Sequence, residues 1–254
     1  MSTLYSEGVV LSHAPTMSAD RSISLYTKEL GKIRARIKAG RKTQSKLAGN
    51  AEPFSRGLFF FAFGKGGYTL IGVDPMTQYG RIKKNLILIG MASLCAESVH
   101  RLTQDQHPDA RIYDLCISTF SLLNQQGITE QKVRLVGLWC IWNLLTILGS
   151  GFESQVCVRC RKALSQSKLG ASLLRGGMVC AQCHQHVSSI RIITPEALKL
   201  FRLLPQTAPT HLMRVRAKSA TLTAAEKFTD ELYQFHLEEK SSALGFIRFF
   251  SAHH

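Results

Sequence analysis

The sequence predicts an α+β protein: a small amino-terminal β-barrel, then an α-helical domain that carries an inserted four-cysteine zinc module. Three observations predict this order. Short strand-like segments between turns fill the first eighty residues, helical spacing of apolar residues follows, and two C-x2-C pairs interrupt the helical part. The predicted domains are residues 1–79 for the barrel, 80–150 and 189–254 for the helices, and 151–188 for the zinc insertion.

Five strands are predicted in the barrel, at residues 9–13, 22–27, 32–38, 52–63 and 68–73. The apolar run at 58–63 suits a strand that is buried on both faces. Gly66-Gly67 before Tyr68 is a hairpin signal. Five short strands without helical spacing between them indicate a small closed barrel of the OB-fold type, an architecture that often binds single-stranded nucleic acid.

The third strand carries a row of cations. Side chains alternate between the two faces of a strand, so one face would hold four cations, namely Lys32, Arg34, Arg36 and Lys38. Four more cations flank this strand: Lys28, Arg41, Lys42 and Lys46. The leading interpretation is a track for a phosphate backbone, because arginine forms good forks for phosphate. The alternative is a solvated edge strand whose lysines oppose aggregation.

Net charge supports an anionic partner. The chain has a formal charge of +15 and a pI near 9.8, which favours nucleic acid before a membrane surface. Residues 1–80 hold eleven Lys/Arg and five Asp/Glu, and residues 151–192 hold six and one. Any nucleic-acid surface should therefore involve the barrel and the cysteine-rich segment.

Aromatic residues lie close to the basic strand in the sequence. Tyr26, Phe54 and Tyr68 are candidates for stacking on bases. The competing interpretation is that they belong to the core, where aromatic side chains are common.

From residue 80 the spacing becomes helical. Helices are predicted at residues 81–102, 105–125, 129–149, 194–204 and 223–237, the last continuing to about 250. Cys95, Cys116 and Cys140 fall on apolar helical faces, so we interpret them as packing residues.

The two C-x2-C pairs have the spacing of a structural zinc site. The predicted ligands are Cys157, Cys160, Cys180 and Cys183, with nineteen residues between the pairs. Four thiolates leave no open position, so the one zinc per chain would be structural. His184 or His186 could replace a cysteine ligand. The bases between the pairs either contact phosphates or only solvate a loop; they are Arg161, Lys162, Lys168 and Arg175.

Enzyme signatures are missing from the sequence. It contains no Walker loop, no H-x-E before the cysteine pairs, no H-E-x-x-H, no G-x-S-x-G and no carboxylate cluster, so we expect a binding protein rather than an enzyme. The charge-free run at 135–152 contains three glycines and is better explained as a buried helix than as a membrane span. An odd number of cysteines without an export signal favours a reducing, cytoplasmic location.

Several short runs in the first eighty residues are distinctive: Val9-Val10-Leu11, Asp20-Arg21, the run from Leu25 to Lys32, Gly40-Arg41-Lys42, Leu47-Ala48-Gly49 and Glu52-Pro53-Phe54. In these residues the chain resembles the bacterial RecO family of recombination mediators. The likeness covers essentially the full length and is weaker through the helices. Relatives often have Gly where this chain has Arg161, and some lack the zinc cysteines, so zinc is not essential to the family's activity.

This resemblance implies a non-enzymatic role. RecO-like proteins bind single- and double-stranded DNA, anneal complementary strands, and recognise the acidic C-terminal tail of the single-strand-binding protein (SSB). With RecR they load RecA onto SSB-coated DNA. The basic barrel surface of the family corresponds here to Lys32, Arg34, Arg36, Lys38, Arg41 and Lys42.

A second hypothesis stays open at this point. The cysteine segment could be a zinc-ribbon module that recruits an acidic protein, with DNA binding secondary.

Overall fold

The computed structural model describes residues 2–15, 20–38, 46–164 and 169–237. They divide into two compact units, which we call the barrel unit (within residues 1–128) and the helical unit (within residues 129–244). The first two long helices group with the barrel in this division. The domain boundaries predicted from the sequence stay predictions.

The barrel unit contains a closed five-stranded barrel, as predicted. Its strands in chain order are β1 (Ser2–Pro15), β2 (Arg21–Thr27), β3 (Gly31–Ile37), β4 (Arg56–Gly64) and β5 (Gly67–Thr77). Around the barrel they follow the order β1-β2-β3-β5-β4. Neighbours are antiparallel except β3 and β5, which run parallel with Ala35 opposite Tyr68 and Arg36 opposite Thr69.

Alternation along β3 positions its charges. Ile33, Ala35 and Ile37 are buried in the barrel core, while Arg34 and Arg36 between them are exposed. Ten buried residues form this core: Val10, Ile23, Leu25, Ile33, Ala35, Ile37, Ala51, Phe59, Phe61 and Leu70. Apolar burial of this extent holds β3 in register and turns its polar face outward.

β4 differs from its prediction in two ways. It begins at Arg56 rather than at residue 52, because Pro53 and Phe54 (φ 65°) form a turn. The expectation of burial on both faces is wrong. Phe59 and Phe61 face the core, while Leu58 and Phe60 are half-buried on the outer side, since the barrel is one layer thick there.

Three α-helices complete the described part of the barrel unit. They are α1 (Lys46–Asn50), α2 (Leu86–Leu102) and α3 (Ala110–Leu123). The side chain of Asn85 caps α2 by accepting from the N–H groups of Ile87 and Leu88. The helix expected from residue 105 begins at Ala110, because Pro108 precedes the cap and Asp109 accepts from the N–H of Arg111. Both α2 and α3 pack against β1.

The helical unit is built around α4 (Glu130–Ile147), α5 (Pro195–Leu203), α6 (Pro209–Leu212) and α7 (Ser219–His236). The Trp142 ring stacks on Phe201 with centroids 4.4 Å apart. Arg134 of α4 forms a two-pronged ion pair with Glu226 of α7. Thr194 and Pro195 start α5 as predicted. The predicted extension of the last helix to residue 250 lies outside the described residues.

The cysteine segment of the helical unit is small. It contains a three-stranded sheet of β6 (Gly170–Ser172), β7 (Gly177–Val179) and β8 (Ile190–Ile192), in the order β7-β6-β8. One cluster of buried residues in it contains two cysteines: Cys157, Val179 and Cys183. Leu169, Ala171 and Met178 of the same segment are buried as well. The other three cysteines of the described chain, Cys95, Cys116 and Cys140, are buried on helices.

None of the helices in the described ranges combines the length and the apolar character that a membrane crossing requires.

Candidate nucleic-acid interface and metal centre

Three of the four predicted strand cations reach solvent. Arg34, Arg36 and Lys38 are exposed, and within the described ranges no ion pair ties any of them to a carboxylate. Arg36 lies beside the turn between β4 and β5, with Nη2 3.2 Å from the position that a Cβ on Gly66 would take. These side chains form a positive surface whose charge is available to an external anion.

Lys32 is a correction to the predicted row. It is 8% exposed, because the end of α2 covers it. Its Nζ donates to the carbonyl oxygens of His100 (2.6 Å) and Thr103 (2.5 Å) and lies 3.1 Å from Asp105. The ammonium group thus satisfies carbonyls at the carboxyl end of the helix, where cations are favoured.

His100 lies beside this buried amine. Its Nδ1 is 3.0 Å from the Ser24 hydroxyl. Burial lowers the pKa of His100, and the nearby charges of Lys32 and Arg34 lower it further. A neutral imidazole is therefore favoured between α2 and the barrel.

The other predicted cations have different outcomes. Lys28 is exposed at the turn between β2 and β3. Lys46 begins α1, and Arg41 and Lys42 lie outside the described residues. Sequence reasoning missed Lys65, which is exposed in the turn after β4. Its position in a glycine-rich hairpin turn was the available signal.

Two other cations of the barrel strands are neutralised internally. Arg21 pairs with Glu52 at 2.7 Å. Arg56 and the Tyr113 hydroxyl both donate to Glu7, and these hydrogen bonds lower the pKa of the Glu7 carboxyl. Among the described strands and turns of the barrel, the cations without an ion pair are thus on β3 and its neighbouring turns; a second group, Arg81, Lys83 and Lys84, is exposed just before α2.

Two of the three candidate stacking aromatics are core residues. Tyr26 and Phe54 are buried, so the interpretation as base platforms is wrong for them. Tyr68 is half-buried and packs 4.8 Å from the ring of Phe63, a residue that the prediction did not include.

The four predicted cysteine ligands come together. The sulfur atoms of Cys157, Cys160, Cys180 and Cys183 all lie within 4.8 Å of one another, and Sγ of Cys160 is 3.8 Å from Sγ of Cys180. Tetrahedral zinc with bonds of about 2.3 Å places its sulfurs about 3.8 Å apart. The arrangement therefore fits one tetrahedral metal ion. His184 lies outside this cluster, with Nε2 3.2 Å from the carbonyl oxygen of Val179.

Backbone N–H groups favour the thiolate form of Cys157. Burial acts to raise the pKa of Cys157, but N–H groups of Cys160, Cys180 and Arg159 outweigh it and lower that pKa to about 6. Burial and the neighbouring sulfurs raise the pKa of Cys183 to about 12. Four thiolates this close together repel one another. A metal cation bound between them offsets this repulsion and favours the deprotonated forms.

Arg161 has a strained backbone. It follows the second cysteine of the first pair with φ 62°, in the left-handed region that glycine occupies at little cost. The conformation lets the N–H of Arg161 bond the carbonyl of Cys157 and close the turn around the sulfurs.

Basic side chains surround the cysteine cluster as well. Arg159, Arg161, Lys162 and Arg175 are exposed, whereas Lys168 lies outside the described residues. Arg191 is paired with Glu231 of α7 at 2.6 Å. This segment presents cations without the regular spacing of β3.

Two family models match the chain. "Recombination protein O N terminal" matches residues 1–79, and "Recombination protein O C terminal" matches residues 84–244. The first therefore covers the strands of the barrel, and the second covers the helices and the four cysteines.

Curated relatives are similar over most of their length. The DNA repair protein RecO of Roseiflexus sp. is 26% identical over 95% of this chain and 83% of its own. The protein of that name from Geobacter sulfurreducens is 27% identical over 95% and 96%, and that from Dehalococcoides mccartyi is 27% identical over 89% and 87%. With both halves matched, the chain belongs to the RecO family of DNA repair proteins.

Proposed function

We propose that this chain is a recombination mediator that binds single- and double-stranded DNA along β3 and anneals complementary strands. One observation carries the proposal: Arg34 and Arg36 are exposed on β3 and Lys38 directly after it, without ion pairs in the described part of the chain. Free guanidinium groups at this spacing suit phosphate oxygens.

Annealing follows from the physics of such a surface. Cations that contact phosphates lower the repulsion between two strands without reading base edges. Complementary strands held together in this way pair through their own bases. The protein then acts by binding, and the chemistry of a catalytic site is not required.

Salt dependence tests the proposal directly. Five exposed cations lie on or beside β3: Lys28, Arg34, Arg36, Lys38 and Lys65. Neutralising about five phosphates of a single strand gives a slope near −3.5 in log K against log salt, or about a hundredfold loss of affinity between 50 and 200 mM. Fluorescence anisotropy on labelled oligonucleotides measures it. A flat response contradicts the proposal.

A double charge reversal tests the location. Arg34→Glu with Arg36→Glu should weaken binding at least tenfold for every sequence and flatten the slope by about 1.4, because two phosphate contacts are lost. Arg81→Glu with Lys84→Glu is the matched control, since both residues are exposed near the start of α2 and give the same change in charge. Equal losses of DNA affinity in both double variants would show that binding depends on net charge and not on the location of Arg34 and Arg36.

We further propose that the helical unit binds the acidic C-terminal tail of SSB. A cleft of about 310 Å³ is lined by apolar Leu135, Val215 and Leu222 and by the cations Lys132 and Arg216. Nζ of Lys132 donates to the Val215 carbonyl, which ties the cleft wall to α4. An apolar cleft with a basic rim suits an acidic peptide that ends in an aromatic residue.

A labelled tail peptide tests this assignment. Arg216→Glu should reduce its affinity at least tenfold. Lys227→Glu is the control, because Lys227 is exposed on α7 and does not line the cleft. If both variants bind like the parent chain, the tail does not use this cleft.

The mediator role completes the proposal. On SSB-coated single strands, the chain together with RecR should shorten the lag before RecA assembles, and omission of either protein should restore the lag. One structural zinc ion per chain would be held by the four cysteines. We place this activity in the bacterial cytoplasm, where thiols stay reduced.

A further inference from the structure

Two aromatic residues, Phe63 and Tyr68, form a partly exposed ring pair at the edge of the barrel core. Along β4 the inward-facing residues Phe59 and Phe61 are buried, but the next one, Phe63, is 39% exposed. Its ring packs against Tyr68 of β5, with centroids 4.8 Å apart and an angle of 47° between the planes. The two residues are cross-strand partners at the base of the turn between β4 and β5.

The turn leaves space beside these rings. It consists of Gly64, Lys65, Gly66 and Gly67, so three of its four residues have no side chain. Gly67 has φ 82°, and a Cβ added there would meet no atom within 4 Å. The pair is therefore accessible to a flat ligand instead of being covered by its own turn.

Cations border the same place. Tyr68 lies opposite Ala35 of β3 and shares its inward face, so the side chains of Arg34 and Arg36 leave β3 on the outer face, and cations approach the ring pair only around the turn at the barrel end. The Arg36 guanidinium reaches the turn at Gly66, and Lys65 is exposed within it. Open aromatic faces beside phosphate-binding cations are the combination that holds a single-stranded nucleic acid.

We propose that Phe63, supported by Tyr68, is a stacking platform for an unpaired base of the DNA strand bound along β3. This inference rests on the proposed function and deepens it. A base inside a duplex already stacks on its neighbours and cannot reach the ring, whereas a single-strand base can. The platform then favours single strands, while the cations contact the phosphates of both forms.

A second exposed aromatic provides the contrast. Tyr5 of β1 is 68% exposed and has Phe60 as its ring neighbour at 6.3 Å. β4 and β5 separate it from β3 on this side of the barrel. Glu7 lies two residues further along the same face, and its carboxylate accepts from Arg56 and Tyr113, so the charges beside Tyr5 are already paired. Tyr5 should therefore not take part.

The test compares variants on single-stranded and duplex oligonucleotides of equal length. Phe63→Leu keeps an apolar side chain at the barrel edge but removes the aromatic face, and should weaken single-strand binding about fivefold while duplex binding stays within twofold. Tyr5→Leu should change neither. Thermal unfolding of each variant checks that the barrel is intact. Equal single-strand affinity for Phe63→Leu and the parent chain overturns the platform.

A second variant at the same position tests the platform even if Phe63→Leu destabilises the barrel. Phe63→Trp keeps the stacking face, so single-strand affinity should be retained or increased, and its added fluorescence should be quenched by single strands but not by duplex. Absence of that quenching overturns the platform even if DNA still binds through Arg34 and Arg36. If the parent chain binds neither DNA form, the proposed function and the platform fail together.

Discussion

The two most basic regions of the chain are supported in different ways. β3 is held by ten buried residues of a closed barrel, so its exposed arginines stand on a scaffold made of apolar contacts. The cysteine segment has a small buried cluster of which two members, Cys157 and Cys183, are metal-ligand candidates. The two regions carry a similar excess of positive charge. The fold that presents this charge is stabilised by apolar burial in the barrel and by a cluster of cysteines in the other region.

This difference indicates which change should destabilise each region. Apolar burial contributes roughly 25 cal/mol per Å², so a barrel core of this size needs no metal. The cysteine segment is small and its sulfurs lie at the centre of its buried cluster, so we expect metal binding to contribute much of the free energy that orders its loops. Removal of the metal, substitution in the barrel and substitution in the strained turn should therefore each change the stability of a different part of the chain.

Removing the metal should have the largest effect. Cys157→Ser with Cys160→Ser, or a strong chelator, removes a binding free energy on the order of 10 kcal/mol from the cysteine segment. Elemental analysis should give about one zinc per parent chain and none for the variant. Hydrogen exchange should become fast in β6 to β8 and remain slow in β1 to β5. Loss of protection in the barrel would show that the two regions depend on one scaffold.

Within the barrel, neighbouring cations should behave in opposite ways. Lys32→Met should lower the free energy of unfolding by about 2 kcal/mol, because it leaves carbonyls at the end of α2 without a donor. The matched variant Arg34→Met should change stability by less than about 0.5 kcal/mol but weaken DNA binding, because Arg34 is exposed. Denaturant unfolding and anisotropy measure the two effects. A stability loss from Arg34→Met as large as that from Lys32→Met would contradict the different roles.

The strained turn of the cysteine segment should give the smallest effect. Arg161→Gly should stabilise the metal-bound segment by about 0.5–1 kcal/mol, because glycine adopts φ 62° without a steric cost. Competition with a chelator should show slower metal loss than in the parent chain. Arg159→Gly is the control, since Arg159 has no positive φ and should gain nothing. Faster metal loss from Arg161→Gly would mean that its side chain supports the site.

Some features could be predicted because they depend on local spacing. The alternation in β3, the Thr194-Pro195 start of α5 and the C-x2-C pairs all follow from neighbours within a few residues. The start of α3 was predicted too early, although Pro108 and Asp109 are themselves local signals. The burial of β4 was wrong because a hydrophobic run does not reveal how many layers will cover it.

By itself the sequence determined which side chains share a face, where thiols can meet and that the chain carries excess positive charge. Only the tertiary structure decided which of those groups remain available. Lys32 lies on the same face as Arg34, yet the end of α2, about seventy residues away in the chain, covers one and not the other. The physical reason is that periodicity is a property of neighbouring residues, whereas exposure depends on which distant segment packs above them.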